Sequence, residues 1–337
     1  MSGAGQRRTH RAVQVVELTG PDGLRLVERP DLEAGDGVLI EVHHAGVAFP
    51  DLLMSRGEYQ RKPPVPFSPG VEVAGVVRAA PAGAHVRAGD RVAAFVRVGG
   101  WAEVVVAAPG LVFPLPDEVS LRSGAGLPMN YLTAHLALTR RGGLTSGDVL
   151  LVHGAAGGLG TALVQAGKAL GARVVAVTST REKADLAREC GADDTVPTAG
   201  WLAAAHELLG PGGVDVVADT VGGDALLDSV RCLSKEGRVL VLGFASGTIP
   251  SIAANRLLLR NVDLRGVAWG RLIEDEPDYP ARQWADLMEW HAAGFIRPVD
   301  GRSFALAEAG DALRELDSRR GLGKITLALG PADERNS

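Results

Sequence analysis

The strongest constraint on the fold of this chain lies between residues 149 and 183, which read VLLVHGAAGGLGTALVQAGKALGARVVAVTSTREK. Two continuous apolar runs, 149–152 and 174–177, have the composition of parallel strands covered on both faces. Between them, a glycine-rich turn leads into a segment with apolar residues at helical spacing, which Gly171 ends. The order strand, turn, helix, strand predicts a βαβ unit of a parallel sheet.

The turn of this βαβ unit has the features of a site for the pyrophosphate of a dinucleotide. Backbone N–H groups at the helix start and the positive end of its dipole favour a bound anion. Ala155 stands at the first position of the usual G-x-G-x-x-G pattern. Gly157 still permits the backbone to approach the pyrophosphate closely, and Gly160 still permits the helix to pack closely on the strand. A turn that binds nothing is the alternative, and the complete strand–turn–helix context disfavours it. We expect cofactor contacts from Ala156, Gly157, Gly158 and Leu159.

The pattern of the chain changes near residue 125, which predicts two domains in an α/β protein. Residues 1–124 contain many glycines and prolines and short β-like runs, typical of a mostly β substrate domain. Residues 125–271 alternate helices with buried strands, which predicts a doubly wound parallel sheet with the cofactor across the carboxyl ends of its strands. Residues 272–337 are charged and helical, then read strand, helix, strand, and we expect them to return to the first domain.

Composition excludes several classes of function. The net charge of −5 and the lack of a long basic run argue against nucleic acid or a membrane surface as a partner. No apolar stretch is long enough to cross a bilayer or to form a signal peptide. The two cysteines, Cys190 and Cys232, cannot form a disulfide scaffold or a multi-cysteine zinc lobe, so we expect buried thiols and a cytoplasmic location.

The residues after the second strand indicate which dinucleotide binds. Enzymes that use NAD commonly have an acidic residue here for the ribose 2′-hydroxyl, and this chain has Thr178 instead. Cations at the start of a helix are electrostatically unfavourable unless an anion lies nearby, so basic residues here favour a bound anion. The alternative is that these basic side chains bind nothing and are only solvated by water. We therefore predict NADPH, with its 2′-phosphate held by Thr178, Ser179, Thr180, Arg181 and Lys183.

Motifs along almost the whole chain resemble one family. In order they are GVAFPDLLMSRGEY, FSPGVEVAGVV, GDRVAAF, LPMNYLTAHLAL, HGAAGGLG, DTVGG and GLGKITL. They resemble the medium-chain dehydrogenase/reductase superfamily, and within it the zinc-free quinone oxidoreductase (zeta-crystallin-like) branch. The resemblance implies a Rossmann-type domain beside a GroES-like domain. It also implies reduction of a quinone or an α,β-unsaturated carbonyl compound, and a homodimer paired through the sheet edge at Val262 to Trp269.

The positions that bind zinc in related alcohol dehydrogenases carry other residues here. By alignment with that family they are Ala48, Val71 and Met129, none of which offers a thiolate, imidazole or carboxylate. Glu72 remains alone, and we interpret the histidines as structural or surface residues. We therefore expect no metal. Reduction of a conjugated acceptor needs a Lewis acid less than alcohol oxidation does, because the acceptor delocalises the incoming charge.

The resemblance also implies site residues outside the turn. Phe49 and Asp51 lie in the loop that lines the substrate cleft, where Asp51 fixes the loop rather than reacting. Tyr59 could donate a proton or hydrogen-bond the substrate oxygen, or it could simply pack the loop. Ala48 and Leu53 replace polar residues of the branch and suggest an apolar cleft. The remaining positions are Asn130 and Thr133 beside the nicotinamide, Gly243, Phe244 and Ala245 at its carboxamide, backbone contacts at Val267, Ala268 and Trp269, and Lys324 near the cofactor or on the surface.

Two other functions stay open at this point. An enoyl-thioester reductase would share this architecture and would need a basic entry for a phosphopantetheine or coenzyme A phosphate. Arg56, Arg61 and Lys62 could serve, although a solvated surface loop is the alternative. A non-catalytic NADPH-binding protein is the other possibility, since zeta-crystallins show that the fold can lose its enzymatic role.

Overall fold

The computed structural model describes residues 8–330, so the outermost parts of the predicted domains, 1–7 and 331–337, lie outside the described residues. The described chain forms two compact units, one of residues up to 129 together with those from 300 onward, and one of residues 130–299. The predicted boundaries at 124/125 and 271/272 therefore differ from the observed ones.

Strands and helices follow one another in the order below, within residues 8–330. The strands are β1 (Thr9–Val15), β2 (Leu24–Pro30), β3 (Val38–Gly46), β4 (Glu72–Ala79), β5 (Arg91–Phe95), β6 (Val104–Ala107), β7 (Val112–Pro114), β8 (Val149–His153), β9 (Arg173–Thr178), β10 (Asp194–Pro197), β11 (Val214–Asp219), β12 (Leu233–Val241), β13 (Asp263–Gly266), β14 (Asp300–Ala305) and β15 (Lys324–Ala328). The α-helices are α1 (Phe49–Ser55), α2 (Leu121–Gly124), α3 (Leu127–Leu136), α4 (Gly158–Ala169), α5 (Arg181–Glu189), α6 (Trp201–Leu209), α7 (Gly223–Cys232), α8 (Asn255–Leu258), α9 (Trp269–Asp275), α10 (Tyr279–Ala292) and α11 (Ala309–Asp317).

The first unit is built on a mostly antiparallel sheet in the order β14-β15-β3-β4-β5-β7, with β6 paired to β3. The hairpin of β1 and β2 joins it through backbone hydrogen bonds, such as Val13 N–H to the Trp101 carbonyl at 2.8 Å. Alternating apolar residues of β3 and β4 enter a core that includes the fully buried Trp101. The strand, helix and strand at the end of the chain return to this sheet, as predicted.

The second unit is a six-stranded parallel sheet in the order β10-β9-β8-β11-β12-β13, with helices between successive strands. The predicted βαβ unit is β8, α4 and β9, and Gly171 follows α4 with a left-handed φ of +79°. The order changes direction at β8, which has β9 on one side and β11 on the other. A ligand of such a sheet binds outside the carboxyl ends of the strands at this switch point.

The segment 272–299 lies in the second unit, so its predicted return to the first domain is wrong. Helix α10 packs against α3 through three contacts of His135, whose ring stacks on Trp290 at 5.3 Å and bonds Asp286 at 2.8 Å and Gln283 at 3.1 Å. An amphipathic helix shows in its sequence that one face is buried, but not which core covers that face. No helix of residues 8–330 is long and apolar enough to cross a membrane.

Candidate active site

The turn after β8 brings its glycines together as the βαβ pattern predicted. Gly154 has a left-handed φ of +65°, and Gly157 forms the cap before α4 begins. A Cβ added to Gly160 would lie 2.0 Å from the carbonyl oxygen of Gly154, so only glycine fits this contact of helix on turn. Ala155 is fully buried within the turn. Of the predicted contact residues, Ala156 is buried while Gly157, Gly158 and Leu159 are partly exposed.

The end of β9 places hydroxyl and cationic groups side by side. Thr178 is the last strand residue and is buried, whereas Ser179 is exposed. Thr180 caps α5 by accepting a hydrogen bond from the Lys183 backbone N–H at 3.3 Å. The Lys183 ammonium donates to the Ser179 hydroxyl at 3.3 Å, and partial burial lowers the pKa of this lysine. Arg181 extends into solvent. The group therefore combines three hydroxyls and two cations, and the strand ends on Thr178 rather than on a carboxylate.

The predicted carboxamide-pocket residues Gly243, Phe244 and Ala245 lie in a loop beyond β12. The strand ends at Val241, two residues before Gly243. The Phe244 ring rests against Gly222, where an added Cβ would lie 2.7 Å from the ring. Since Gly222 also has a φ of +72°, glycine is required there for both conformation and space.

Val267, Ala268 and Trp269 follow the short edge strand β13. Val267 N–H donates to the Val241 carbonyl at 3.0 Å, and Ala268 caps α9. The Trp269 side chain is buried and donates from its indole N–H to the Gln283 amide oxygen at 2.7 Å. Gln283 is itself fully buried and donates to the Leu132 carbonyl at 2.8 Å. This glutamine connects α3 to the start of α9. Its role has no local signal in the sequence, because its partners lie far along the chain.

Helix α3 carries the two residues predicted to face the nicotinamide. Asn130 and Thr133 are three positions apart and therefore share a face of the helix. Both are more than nine-tenths buried. The Thr133 hydroxyl is buried without a hydrogen-bond partner, a costly state that a polar ligand group could relieve. This unsatisfied hydroxyl fits a polar cofactor.

Asp51 holds the start of α1 to a neighbouring loop. The side chain is completely buried, and its two oxygens accept hydrogen bonds from the backbone N–H groups of Ala48 and Gly70, both at 2.9 Å. Burial raises the pKa of Asp51 to about 7, although these two bonds and the Lys324 charge favour the ionised form. Phe49, the first residue of α1, is partly buried against the core of the first unit.

Tyr59 lies just beyond α1 and is partly buried. Burial raises the pKa of its hydroxyl, and the nearby charge of Asp51 raises it further. The phenol therefore keeps its proton throughout the neutral range, which is the state needed for hydrogen-bond donation or proton transfer.

Lys324 forms a buried ion pair with Glu72, so its alternative reading as a surface lysine is wrong. The two side chains are 9% and 0% exposed, and the ammonium contacts Oε1 of the carboxylate. The other carboxylate oxygen accepts the Met129 backbone N–H at 2.8 Å. Gly126 makes room for the lysine stem, since an added Cβ would lie 2.9 Å from Lys324 Cγ. The sequence missed this pair because its members are far apart along the chain.

The positions aligned with zinc ligands have other roles in the first unit. Ala48 and Val71 are buried, and Met129 supplies only its backbone N–H to Glu72. Residues 8–330 contain no group of three or more histidine, cysteine or acidic side chains arranged to hold a metal. Cys190 and Cys232 are buried free thiols.

The predicted site residues are distributed over both units. The first unit contains four of them, Phe49, Asp51, Tyr59 and Lys324. The others belong to the second unit, where they occupy α3, the last residue of β9 and the segments that follow β8, β9, β12 and β13.

Comparison with known proteins identifies both units. The model of the alcohol dehydrogenase GroES-like domain matches residues 34–117, and that of a family described as zinc-binding dehydrogenase matches residues 158–290. Quinone oxidoreductase-like protein 2 of Rattus norvegicus is 38% identical over 97% of this chain and 95% of its own length.

Two solved structures share the whole fold. A probable oxidoreductase from Mycobacterium abscessus is 40% identical with a TM-score of 0.87, covering 96% of this chain and 99% of that one. The quinone oxidoreductase from Thermus thermophilus, also solved as its complex with NADPH, is 34% identical with a TM-score of 0.82, covering 95% and 100%. With the GroES-like unit, the parallel-sheet unit and these relatives in agreement, the chain belongs to the quinone oxidoreductase branch of the medium-chain dehydrogenase/reductase superfamily of oxidoreductases.

Proposed function

We propose that this enzyme transfers a hydride from NADPH to a quinone or an α,β-unsaturated carbonyl compound without a metal. The observation that carries the proposal is the group at the end of β9, where Ser179 and Lys183 are in contact and Thr178 replaces the usual acid. Hydroxyls and cations suit a ribose 2′-phosphate, which a carboxylate would repel. The Thermus thermophilus relative was solved with NADPH, which agrees with this choice.

Residues of the second unit would hold the cofactor. The N–H groups at the start of α4 would bind the pyrophosphate, and the unsatisfied hydroxyl of Thr133 would bond a polar group at the nicotinamide end. NADPH supplies the hydride when it is bound. In the first unit, Asp51 would keep the substrate loop in place, and Tyr59 would donate a hydrogen bond or a proton to the substrate oxygen.

Two features support a reaction without zinc. Ala48, Val71 and Met129 offer no thiolate, imidazole or carboxylate for zinc, and Glu72 already has a cationic partner in Lys324. Conjugated acceptors delocalise the charge that arrives with the hydride. We therefore expect activity to survive treatment with a chelator. Activity that is abolished by chelation and restored by zinc would contradict this part of the proposal.

Cofactor affinity tests the proposal directly. NADPH should bind more tightly than NADH, and Lys183→Ala should weaken NADPH binding by about 1–3 kcal/mol because a charge-assisted contact is lost. The same change should leave NADH almost unaffected. Binding is measured by titration, and oxidation of each cofactor is then followed with a panel of quinones and enones.

The exposed Lys235 gives a matched control, since Lys235→Ala should change neither affinity. Equal affinities of the parent protein for NADPH and NADH would overturn the cofactor assignment. NADPH binding without turnover of any acceptor in the panel would instead indicate a non-catalytic binding protein.

We also propose that the enzyme is a homodimer of the cytoplasm. The edge strand β13 is shorter and more polar than the predicted apolar edge, because Val262 and Trp269 are buried and lie outside it. Exposed apolar side chains instead precede the strand, with Leu258 and Leu259 exposed by 74% and 78%. A second copy that covers this edge would remove both the open strand and the apolar surface from water.

A further inference from the structure

The segment 219–223, called here the β11 loop, is held in shape by hydrogen bonds between its own residues. Asp219 is fully buried, and its Oδ1 accepts hydrogen bonds from the N–H groups of Val221 at 2.7 Å and Gly222 at 2.9 Å. The loop therefore leaves the sheet in one defined conformation. It lies at the switch point of the sheet, between the segments that follow β8 and β12.

Thr220 connects this loop to the turn after β8. Its hydroxyl donates to the His153 carbonyl at 3.0 Å, at the end of that strand. The hydroxyl also lies close against Gly154, where an added Cβ would be 2.8 Å from it. The turn that leads to the predicted pyrophosphate contacts therefore packs closely against the Thr220 side chain.

The backbone of the β11 loop connects to the segment after β12. The Thr220 carbonyl accepts the Ala245 N–H at 3.1 Å, and the Val221 carbonyl accepts the Ser246 N–H at 2.8 Å. A third bond runs from Gly223 N–H to the Thr248 carbonyl at 3.1 Å. The predicted carboxamide loop is therefore anchored to the same residue that anchors the pyrophosphate turn.

We propose that Thr220 is a positioning residue that sets the spacing between the loops that hold the pyrophosphate and the nicotinamide of the cofactor. This inference rests on the proposed function, and it assigns Thr220 no contact with the reacting atoms. A dinucleotide spans both loops, so its affinity depends on their separation. The affinity of a ligand that occupies only the adenosine end does not depend on the separation of the loops. Comparing the two ligands therefore distinguishes a positioning role of Thr220 from a general effect on stability.

Thr220→Val keeps the shape of the side chain and removes the hydroxyl, whereas Thr220→Ser keeps the hydroxyl. Affinity is measured by calorimetric titration with NADPH and, separately, with adenosine 2′,5′-bisphosphate. We expect Thr220→Val to weaken NADPH binding about 5- to 30-fold, as when a carbonyl loses its hydrogen bond. Binding of the bisphosphate should stay within about twofold, and Thr220→Ser should restore most of the NADPH affinity.

Thr139→Val is the matched control, because the Thr139 hydroxyl also donates to a backbone carbonyl, that of His135 at 2.7 Å. It should change neither affinity. Unchanged NADPH affinity in Thr220→Val, or a parallel loss for both ligands, would overturn the role of Thr220. A parent protein that binds neither ligand would overturn the proposed function and this inference with it.

Discussion

At the scale of single residues, the chemistry proposed here depends most on Tyr59. Hydride addition to an enone leaves an enolate that needs a proton or a hydrogen-bond donor. Ala48, which precedes α1, and Leu53, which lies within it, have no donor group in their side chains, and Asp51 uses both oxygens to accept backbone hydrogen bonds. The phenol of Tyr59, whose pKa is raised by burial and by the Asp51 charge, is the donor we assign.

Tyr59→Phe should slow enone reduction by ~10- to 1000-fold while NADPH binding and the fold are retained, because one acid or oxyanion donor is lost. Quinone reduction should fall less, since a hydroquinone anion is stabilised by its ring. Initial rates with both substrate classes measure the difference. Tyr279→Phe is the control, and an unchanged enone rate in Tyr59→Phe would show that Tyr59 only packs.

The buried pair of Lys324 and Glu72 belongs to the same scale. Lys324→Met should lower the free energy of unfolding by about 3–5 kcal/mol, because a buried carboxylate loses its partner. A second change, Glu72→Gln, should recover part of this loss, since the amide oxygen can still accept the Met129 N–H. Urea unfolding measures both variants, with the exposed Lys235→Met as control. A double variant no more stable than Lys324→Met would refute the pairing.

At the scale of elements, the buried Asp51 at the start of α1 makes the stability of the fold depend on pH. The pKa of Asp51 in the folded protein, about 7, lies above the ordinary value of 3.8, so the folded state keeps a proton that the unfolded state has lost. A rise in pH from about 4 to about 7 therefore lowers the stability that this group contributes, and the contribution is constant above that range.

Asp51→Asn should flatten this part of the dependence of unfolding free energy on pH. Near pH 4 the variant should also be less stable than the parent, because its amide group can accept from only one of the N–H groups of Ala48 and Gly70. Chemical unfolding at several pH values between 4 and 8 tests the slope. The exposed Asp36→Asn should keep the slope of the parent, and an equally steep slope in Asp51→Asn would contradict the assignment.

The elements that could be predicted from the sequence are those whose evidence is local. The unit of β8, α4 and β9 was predicted because its apolar runs and its glycines are consecutive. Helix α7 ends at Cys232 and β12 begins directly at Leu233. Strand pairing with β11 decides this boundary, and pairing partners are not visible in a single segment. For the same reason the roles of Gln283 and Thr220 emerged only from the fold.

At the scale of the whole molecule, the exposed leucines before β13 predict self-association. The parent should be a dimer by light scattering at micromolar concentration, and Leu258→Glu combined with Leu259→Glu should give a monomer, because charges would replace the apolar surface to be covered. Leu26→Glu, at a leucine that is 44% exposed in β2, is the control and should leave the dimer intact. A monomeric parent would contradict the proposal.

The arrangement of the chain also has a consequence for how the protein is made. The sheet of the first unit needs β15, which lies between β14 and β3, yet residues 130–299 must be synthesised before β15. At translation rates of roughly 5–20 residues per second, this delay lasts on the order of ten to thirty seconds. During that interval β3 has an open edge and Glu72 has no lysine partner. The ribosome thus completes the contiguous second unit first, and the nascent first unit is the part that chaperones would need to protect.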